Sequence, residues 1–300
     1  MAQIHFNRIY IIESLQAGER QTGSELHNDL LQRMSYIHND FQSILRCPKD
    51  RTEWNQVFTE ILDDCQKNGN APIIHFEVHG SGKKDGLVLT SRVLVEWEEL
   101  YRQLSAINKV VKNELFVTWA VCHGNFFMST SFLNRPAAFR GMVGSFETIY
   151  NNDLALRFNE FYEKLFRSFD LNKAYEALVN TNSGMPNSFR CYSAELLFAL
   201  AWERYGKELS TETELERRAR ELYGNNTEEL SRYGFTEDGF VDHYKKNKNA
   251  YIQKVFEQDY DTYFMLDIYP ELKDTIECPR SVSEAMAWLE RLQKAQQTSK

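Results

Sequence analysis

Cysteine is scarce in this 300-residue chain: five residues, at 47, 65, 122, 191 and 278, odd in number and never in a Cys-x-x-Cys pair. That pattern argues against a disulfide framework and against a zinc site, and it fits a reducing compartment in which a free thiol survives. Positive charge is also short. Asp plus Glu number 43 against 35 Lys plus Arg, a formal net charge of −8, which disfavours nucleic acid as a direct partner because phosphate contacts need a basic face. The small basic run Lys245-Lys246-Asn247-Lys248 reads as a solvated helix face. Long apolar runs are missing, as is a positively charged leader followed by an apolar stretch. Neither a membrane span nor a signal peptide is therefore expected, and the chain is expected to be cytoplasmic. No internal repeat or low-complexity segment occurs. What is present is an ordinary globular composition, 42% hydrophobic and 13% aromatic, in a chain long enough for one large domain or a domain with an extension.

Residues 4–12 begin in alternation and become continuously apolar, as an interior strand does. Ser24 is placed to cap a helix carrying Leu26, Leu30, Met34, Ile37 and Phe41, and Asp50 with Glu53 to cap a second with Trp54, Phe58, Ile61 and Leu62. Strands are expected at about 72–78, 86–89, 115–121 and 139–146, with a helix through Leu94–Leu104 and two more at roughly 153–168 and 171–180. Strands alternating with helices predict an α/β fold, a mainly parallel sheet flanked by helices on both faces. Beyond residue 206 charged residues become frequent and β-type runs mostly vanish, so residues 1–205 are expected to form the sheet domain and 206–300 a helical extension. Ser281 and Glu284 form a capping box for its last helix. Within the extension Tyr251, Val255, Phe256, Tyr260 and Phe264 make an aromatic stripe at helical spacing, either packed on the sheet domain or presented to a partner.

Two short strings carry the chemistry. Ile73-Ile74-His75-Phe76-Glu77-Val78-His79-Gly80 and Val117-Thr118-Trp119-Ala120-Val121-Cys122-His123-Gly124 each run from an apolar strand to a reactive side chain beside glycine. Ligands of such sheets bind at the carboxyl ends of the strands, where both His79 and Cys122 are expected. A lone cysteine is more often a buried structural residue, and a lone histidine more often a satisfied structural one. Taken together they predict a thiolate–imidazole pair, with His79 lowering the thiol pKa and Cys122 as nucleophile. The backbone N–H groups of Gly80 and Cys122 are candidates for an oxyanion hole. His79 and Cys122 are 43 residues apart, near the roughly fifty of one thiol-peptidase type of signature.

Other chemistry fits less well. His75, Glu77 and His79 share a strand face, but a His-Glu-x-x-His metal motif needs a helix, so no metal and no cofactor are expected. His123 follows the cysteine and points the other way along a strand, which disfavours it as the base. Gly80-Ser81-Gly82-Lys83-Lys84 lacks the spacing and the Lys-Ser/Thr ending of a phosphate loop.

With those residues in place, the chain resembles the caspase-like cysteine peptidases, and within them the CHAT family related to caspases and separases. His79-Gly80 is similar to that family's His-Gly element, and Ala120-Val121-Cys122-His123-Gly124 to its Ala-Cys-x-Gly element with one residue added. Val143-Gly144-Ser145-Phe146-Glu147, then Asp153, Phe161-Tyr162 and Ala174-Tyr175-Glu176-Ala177-Leu178, resemble its Val-Gly-Ser-Leu-Trp strand and following helix pair. The likeness covers roughly residues 70–180 and, more loosely, 4–45. It implies His79 as general base, Cys122 as nucleophile, Gly80 as an oxyanion donor and a protein as substrate. Three positions bear on substrate binding by the same resemblance. Arg20-Gln21-Thr22-Gly23 resembles the caspase segment that carries a P1-binding arginine. Ala120 stands where metacaspases place an aspartate for a basic P1 side chain and caspases a glutamine. Glu147 stands where the family has tryptophan. Family members serve as effectors in prokaryotic signalling or antiviral systems, which implies a regulatory or sensor protein docking on the helical extension. Two other readings of the chain stay open: a catalytically inactive scaffold of the same fold, and a small-molecule or nucleotide-binding α/β protein using the Gly-Lys turn.

Overall fold

The computed structural model describes residues 4–298, with side chains through Lys294. Eight strands form one sheet: β1 Arg8–Ser14, β2 Gln42–Arg46, β3 Pro72–Gly80, β4 Gly86–Val88, β5 Leu94–Glu96, β6 Phe116–Trp119, β7 Gly141–Ser145 and β8 Phe189–Ser193. Their main order is β2-β1-β3-β6-β7-β8, parallel throughout except for the last pair, while β4 and β5 form a hairpin on the end of β3. The α/β class and the mainly parallel sheet agree with the expectation. Contacts divide the chain into two compact units. The first runs up to Ser131 and from Pro136 to Ala194, and the second takes 132–135 and everything from Glu195 onward.

In the first unit, the alternation of strand residues sends two apolar faces to two helical layers. Ile9, Ile11, Ile73, Phe116 and Val143 join one core with residues of α1 Thr22–Leu26, α2 Gln32–Ile37, α5 Asn151–Ser168 and α6 Leu171–Asn180. On the other face Phe76 stacks on Trp54 at 6.0 Å and on Trp119 at 4.5 Å, and Trp97 meets Trp119 edge-on. Trp54 and Trp97 belong to α3 Arg51–Asn68 and α4 Trp97–Val110. Asp50 caps α3, its carboxylate accepting from the N–H groups of Thr52 and Glu53.

Several local expectations need correction. The helix expected to start at Ser24 is capped at Gln21, and Ser24 lies in its first turn with its hydroxyl donated to Glu13. A π-turn, His27–Leu31, joins α1 to α2. Ile37 is 62% exposed rather than part of the apolar face, and Phe41 is buried beyond the end of the helix. The two edge strands β2 and β8 were not expected.

Beyond Ala194 every regular element among the described residues is helical: α7 Ala194–Leu209, α8 Glu212–Asn225, α9 Thr227–Arg232, α10 Glu237–Lys246, α11 Lys248–Tyr263, α12 Val282–Thr298, and a short 3-10 turn. The division falls after Ala194, the first residue of α7, and that helix runs unbroken through the boundary expected at 205/206. The aromatic stripe is the core of this second unit. Phe256, Tyr260 and Phe264 are buried against Phe198 of α7, with ring centroids 5.2–5.4 Å apart, so these three side chains offer no docking face. Of the rest of the stripe, Tyr251 and Val255 are partly exposed, and Tyr251 stacks on Tyr244 at 4.0 Å.

Candidate active site

The sheet brings the two predicted strand ends side by side. Strand β3 pairs in parallel with β6 from Ile73 opposite Phe116 to Phe76 opposite Trp119, and the Ala120 N–H extends the ladder to the Phe76 carbonyl at 2.9 Å. Strand β6 ends at Trp119, and Cys122 lies three residues further on, in the turn that follows. The backbones touch there: a β-carbon built on Gly80 would lie 1.8 Å from the Cys122 carbonyl oxygen. Only glycine allows this approach. Gly80 also faces Leu87 across the β3–β4 hairpin, and the neighbouring Ser81 N–H donates to Gly86 O at 2.9 Å. Antiparallel alternation therefore turns the Gly80 N–H away from β4.

The cysteine loop is held by the segment that follows β7. The Ile149 N–H donates to Cys122 Sγ at 3.3 Å, and the Ile149 carbonyl lies 3.8 Å from the same sulfur. His123 takes a left-handed conformation, φ 64°, within the turn that follows β6. Its N–H donates to Glu147 O at 3.1 Å, and its Nδ1–H donates to Phe146 O at 2.6 Å, so that ring is committed to the backbone. The Val143-Gly144-Ser145 string supports this arrangement. A side chain on Gly144 would collide with Asn125 Oδ1 and with Trp119, and Ser145 Oγ accepts the Glu147 N–H at 2.9 Å.

His79 is half exposed, and its Nε2 lies 2.9 and 3.0 Å from the two carboxylate oxygens of Glu19. The hydrogen bond from His79, against the opposing effect of burial, holds the Glu19 carboxyl below its usual range. An ionised carboxylate only accepts, so Nε2 carries the hydrogen and the neutral ring keeps its lone pair on Nδ1. No hydrogen bond joins His79 to Cys122: the Sγ contacts go to Ile149 and the Nε2 contacts to Glu19. Glu19 is a site residue that the sequence did not reveal. It lies in an irregular loop after β1, without a motif, and only the tertiary fold brings it to His79.

The remaining candidates are placed as follows. Arg20 is engaged within the protein, its guanidinium forked on Glu25 at 2.7–3.0 Å and bonded to Asn152 Oδ1 at 2.6 Å. The Ala120 methyl is buried in the apolar core. Glu147 is exposed, and its backbone carbonyl is what holds His123. The Gly-Lys turn leads from β3 into β4 rather than into a helix, so it lacks the helix N-terminus that a phosphate loop uses. Among the described residues no group of three or more His, Cys, Asp or Glu side chains could hold a metal ion, and no helix is long and apolar enough to cross a membrane.

Beneath the strand ends lies a buried polar network that the sequence also did not announce. Glu13 and Glu77 stand opposite each other in the β1–β3 register, both about 2% exposed. Glu13 accepts from the Ser24 N–H and hydroxyl, and Glu77 from the Thr22 hydroxyl at 2.7 Å. His75 joins Glu77 at 3.2 Å to Thr118 at 2.7 Å, and Thr118 reaches Tyr162 at 2.8 Å. Burial pushes the Tyr162 hydroxyl far above its ordinary range, so it stays protonated and available as a donor. A fully satisfied network of this kind fixes the strand ends rigidly.

Compared with known proteins, the chain matches no family model and no curated protein.

Proposed function

We propose that the chain is a caspase-like cysteine endopeptidase acting on a protein substrate. The observation that supports this reading is the close approach of Gly80, the residue after His79, to the backbone of Cys122, just beyond the paired strands β3 and β6. In the proposed reaction the Nδ1 lone pair of His79 takes the Cys122 proton, and the thiolate attacks the scissile carbonyl carbon. The Ile149 N–H, 3.3 Å from Sγ, stabilises the negative sulfur before attack. The N–H groups of Gly80 and Cys122 receive the developing oxyanion. Collapse forms a thioester and expels the amine, which takes the proton from the imidazolium. Water, deprotonated by the now neutral imidazole, then releases the carboxylic acid and regenerates the thiol. Resemblance adds the setting: an effector of a prokaryotic signalling or antiviral system, cytoplasmic and switched by a partner protein.

The missing Cys122–His79 hydrogen bond favours one second reading, a catalytically silent scaffold of the same fold. A peptide bearing an electrophilic ketone separates the two. An endopeptidase forms a covalent adduct on Cys122 that is lost in His79→Ala, whereas a scaffold gives no adduct on Cys122, or one that His79→Ala leaves unchanged.

A further inference from the structure

The loop between β1 and α1 is built around Glu19. The Glu19 N–H donates to Gln16 O at 2.9 Å, and the Gln16 N–H returns a bond to Glu19 Oε2 at 2.8 Å. The Gln21 side chain braces both backbone carbonyls, Gln16 O at 2.9 Å and Glu19 O at 3.0 Å. The next residue, Arg20, ties the loop to Asn152 in the first turn of α5. That turn directly follows Ile149, whose backbone grips the Cys122 sulfur. One continuous set of contacts thus joins the partner of the imidazole to the partner of the thiol.

We infer that Glu19 is the positioning residue of the site, holding His79 by Nε2 so that Nδ1 is the free base, and that Arg20 clamps the Glu19 loop to the thiol-bearing side rather than binding substrate. This rests on the endopeptidase reading of His79 and Cys122. Both ring nitrogens of an unanchored histidine can carry the single proton, and the ring can turn about its side-chain bonds. A carboxylate on Nε2 removes both freedoms. The site as the sequence presents it, a dyad, becomes a Glu–His–Cys triad in which the carboxylate touches neither substrate nor nucleophile. Because His79 and Glu19 are both more than a third exposed, their pairing adds little to folding stability, so its removal should be felt in reactivity and not in the fold.

The test uses the full chain and iodoacetamide, with mass spectrometry reporting the alkylation rate of Cys122 at neutral pH. Glu19→Gln keeps the shape but loses the charge, and should slow alkylation of Cys122 by about tenfold. Glu19→Asp, which keeps the carboxylate, should restore most of the rate, and the thermal midpoint should barely move in either variant. Arg20→Gln should give a smaller slowing, because it loosens the loop without removing the carboxylate. His79→Ala separates this inference from the reading beneath it. If His79→Ala slows Cys122 while Glu19→Gln does not, the positioning role is overturned and the dyad stands. If neither variant changes the rate, the dyad itself is overturned. Faster alkylation in Glu19→Gln would mean that the carboxylate restrains His79, the opposite of the role inferred.

Discussion

Gly80 and Cys122 are in backbone contact: the position of a β-carbon on Gly80 is 1.8 Å from the Cys122 carbonyl oxygen. The obstructing atom is backbone, so it cannot swing aside as a flexible side chain would. Gly80→Ala should therefore push the cysteine loop from the strand end, at a cost of about 2–3 kcal/mol for forced overpacking. Thermal melting should show the loss, and Cys122 alkylation should slow in the same variant. A variant that melts like the parent and alkylates at the parent rate would mean that the two strand ends are not packed together.

A second expectation concerns the helix that follows the site. Arg157 and Asp153 form an ion pair buried almost completely within α5. The guanidinium also donates to Leu178 O and Met185 O, both at 2.8 Å. Arg157→Ala strands a buried carboxylate and several carbonyls, so unfolding in urea should show a loss of about 3–5 kcal/mol. Replacing Arg157 and Asp153 together by Met and Leu should cost clearly less, since no charge is left uncompensated. Equal losses would contradict this account of the pair.

The second unit carries a pH signature of its own. Burial, partly offset by the Arg218 charge, raises the Asp259 carboxyl from 3.8 to about 6. The folded state then binds more protons than the unfolded state between those values. Stability from this group is fully present below about pH 4 and falls as pH rises towards 6. Asp259→Asn should flatten that part of the stability curve, and at pH 7 it should stabilise the chain. Urea titrations at pH 4 and pH 7 check the sign. A parent protein whose stability difference between those pH values is unchanged by the substitution would contradict it.

Much of the fold was legible because the interior strands are nearly continuous apolar runs. Strand β3 was expected at 72–78 and occupies Pro72–Gly80, and the helices expected at 153–168 and 171–180 occupy Asn151–Ser168 and Leu171–Asn180. The edge strands were not legible for the complementary reason. Strand β2, Gln42–Arg46, is half polar and solvated on its open side, so it leaves no period to read, and Phe41 beside it continued the helical spacing of the preceding segment. The aromatic stripe lies in α11 as its spacing predicts, apart from Phe264 just past the helix end, but its partner Phe198 sits in a segment far away in sequence, and spacing alone gives no partner.

The site divides in the same way. His79 and Cys122 were visible because each ends an apolar run beside glycine, a local pattern. Glu19 and Arg157 were invisible because a charged residue in a loop or helix resembles a solvated one until the fold shows what it faces. Glu13 and Glu77 were obscured likewise, since opposition across a parallel register cannot be read from either strand alone.

The central claim, a thiol made reactive by its place in the fold, is tested most directly by brief iodoacetamide labelling of the native chain with all five cysteines mapped. Burial pushes the thiols of Cys65, Cys191 and Cys278 up to about 12, and desolvation raises that of Cys47 although the residue is exposed. The account predicts that Cys122 is modified first, well ahead of Cys47, and that His79→Ala removes this lead while the melting temperature holds. Modification of all five at similar rates, or a Cys122 lead that survives His79→Ala, would contradict it.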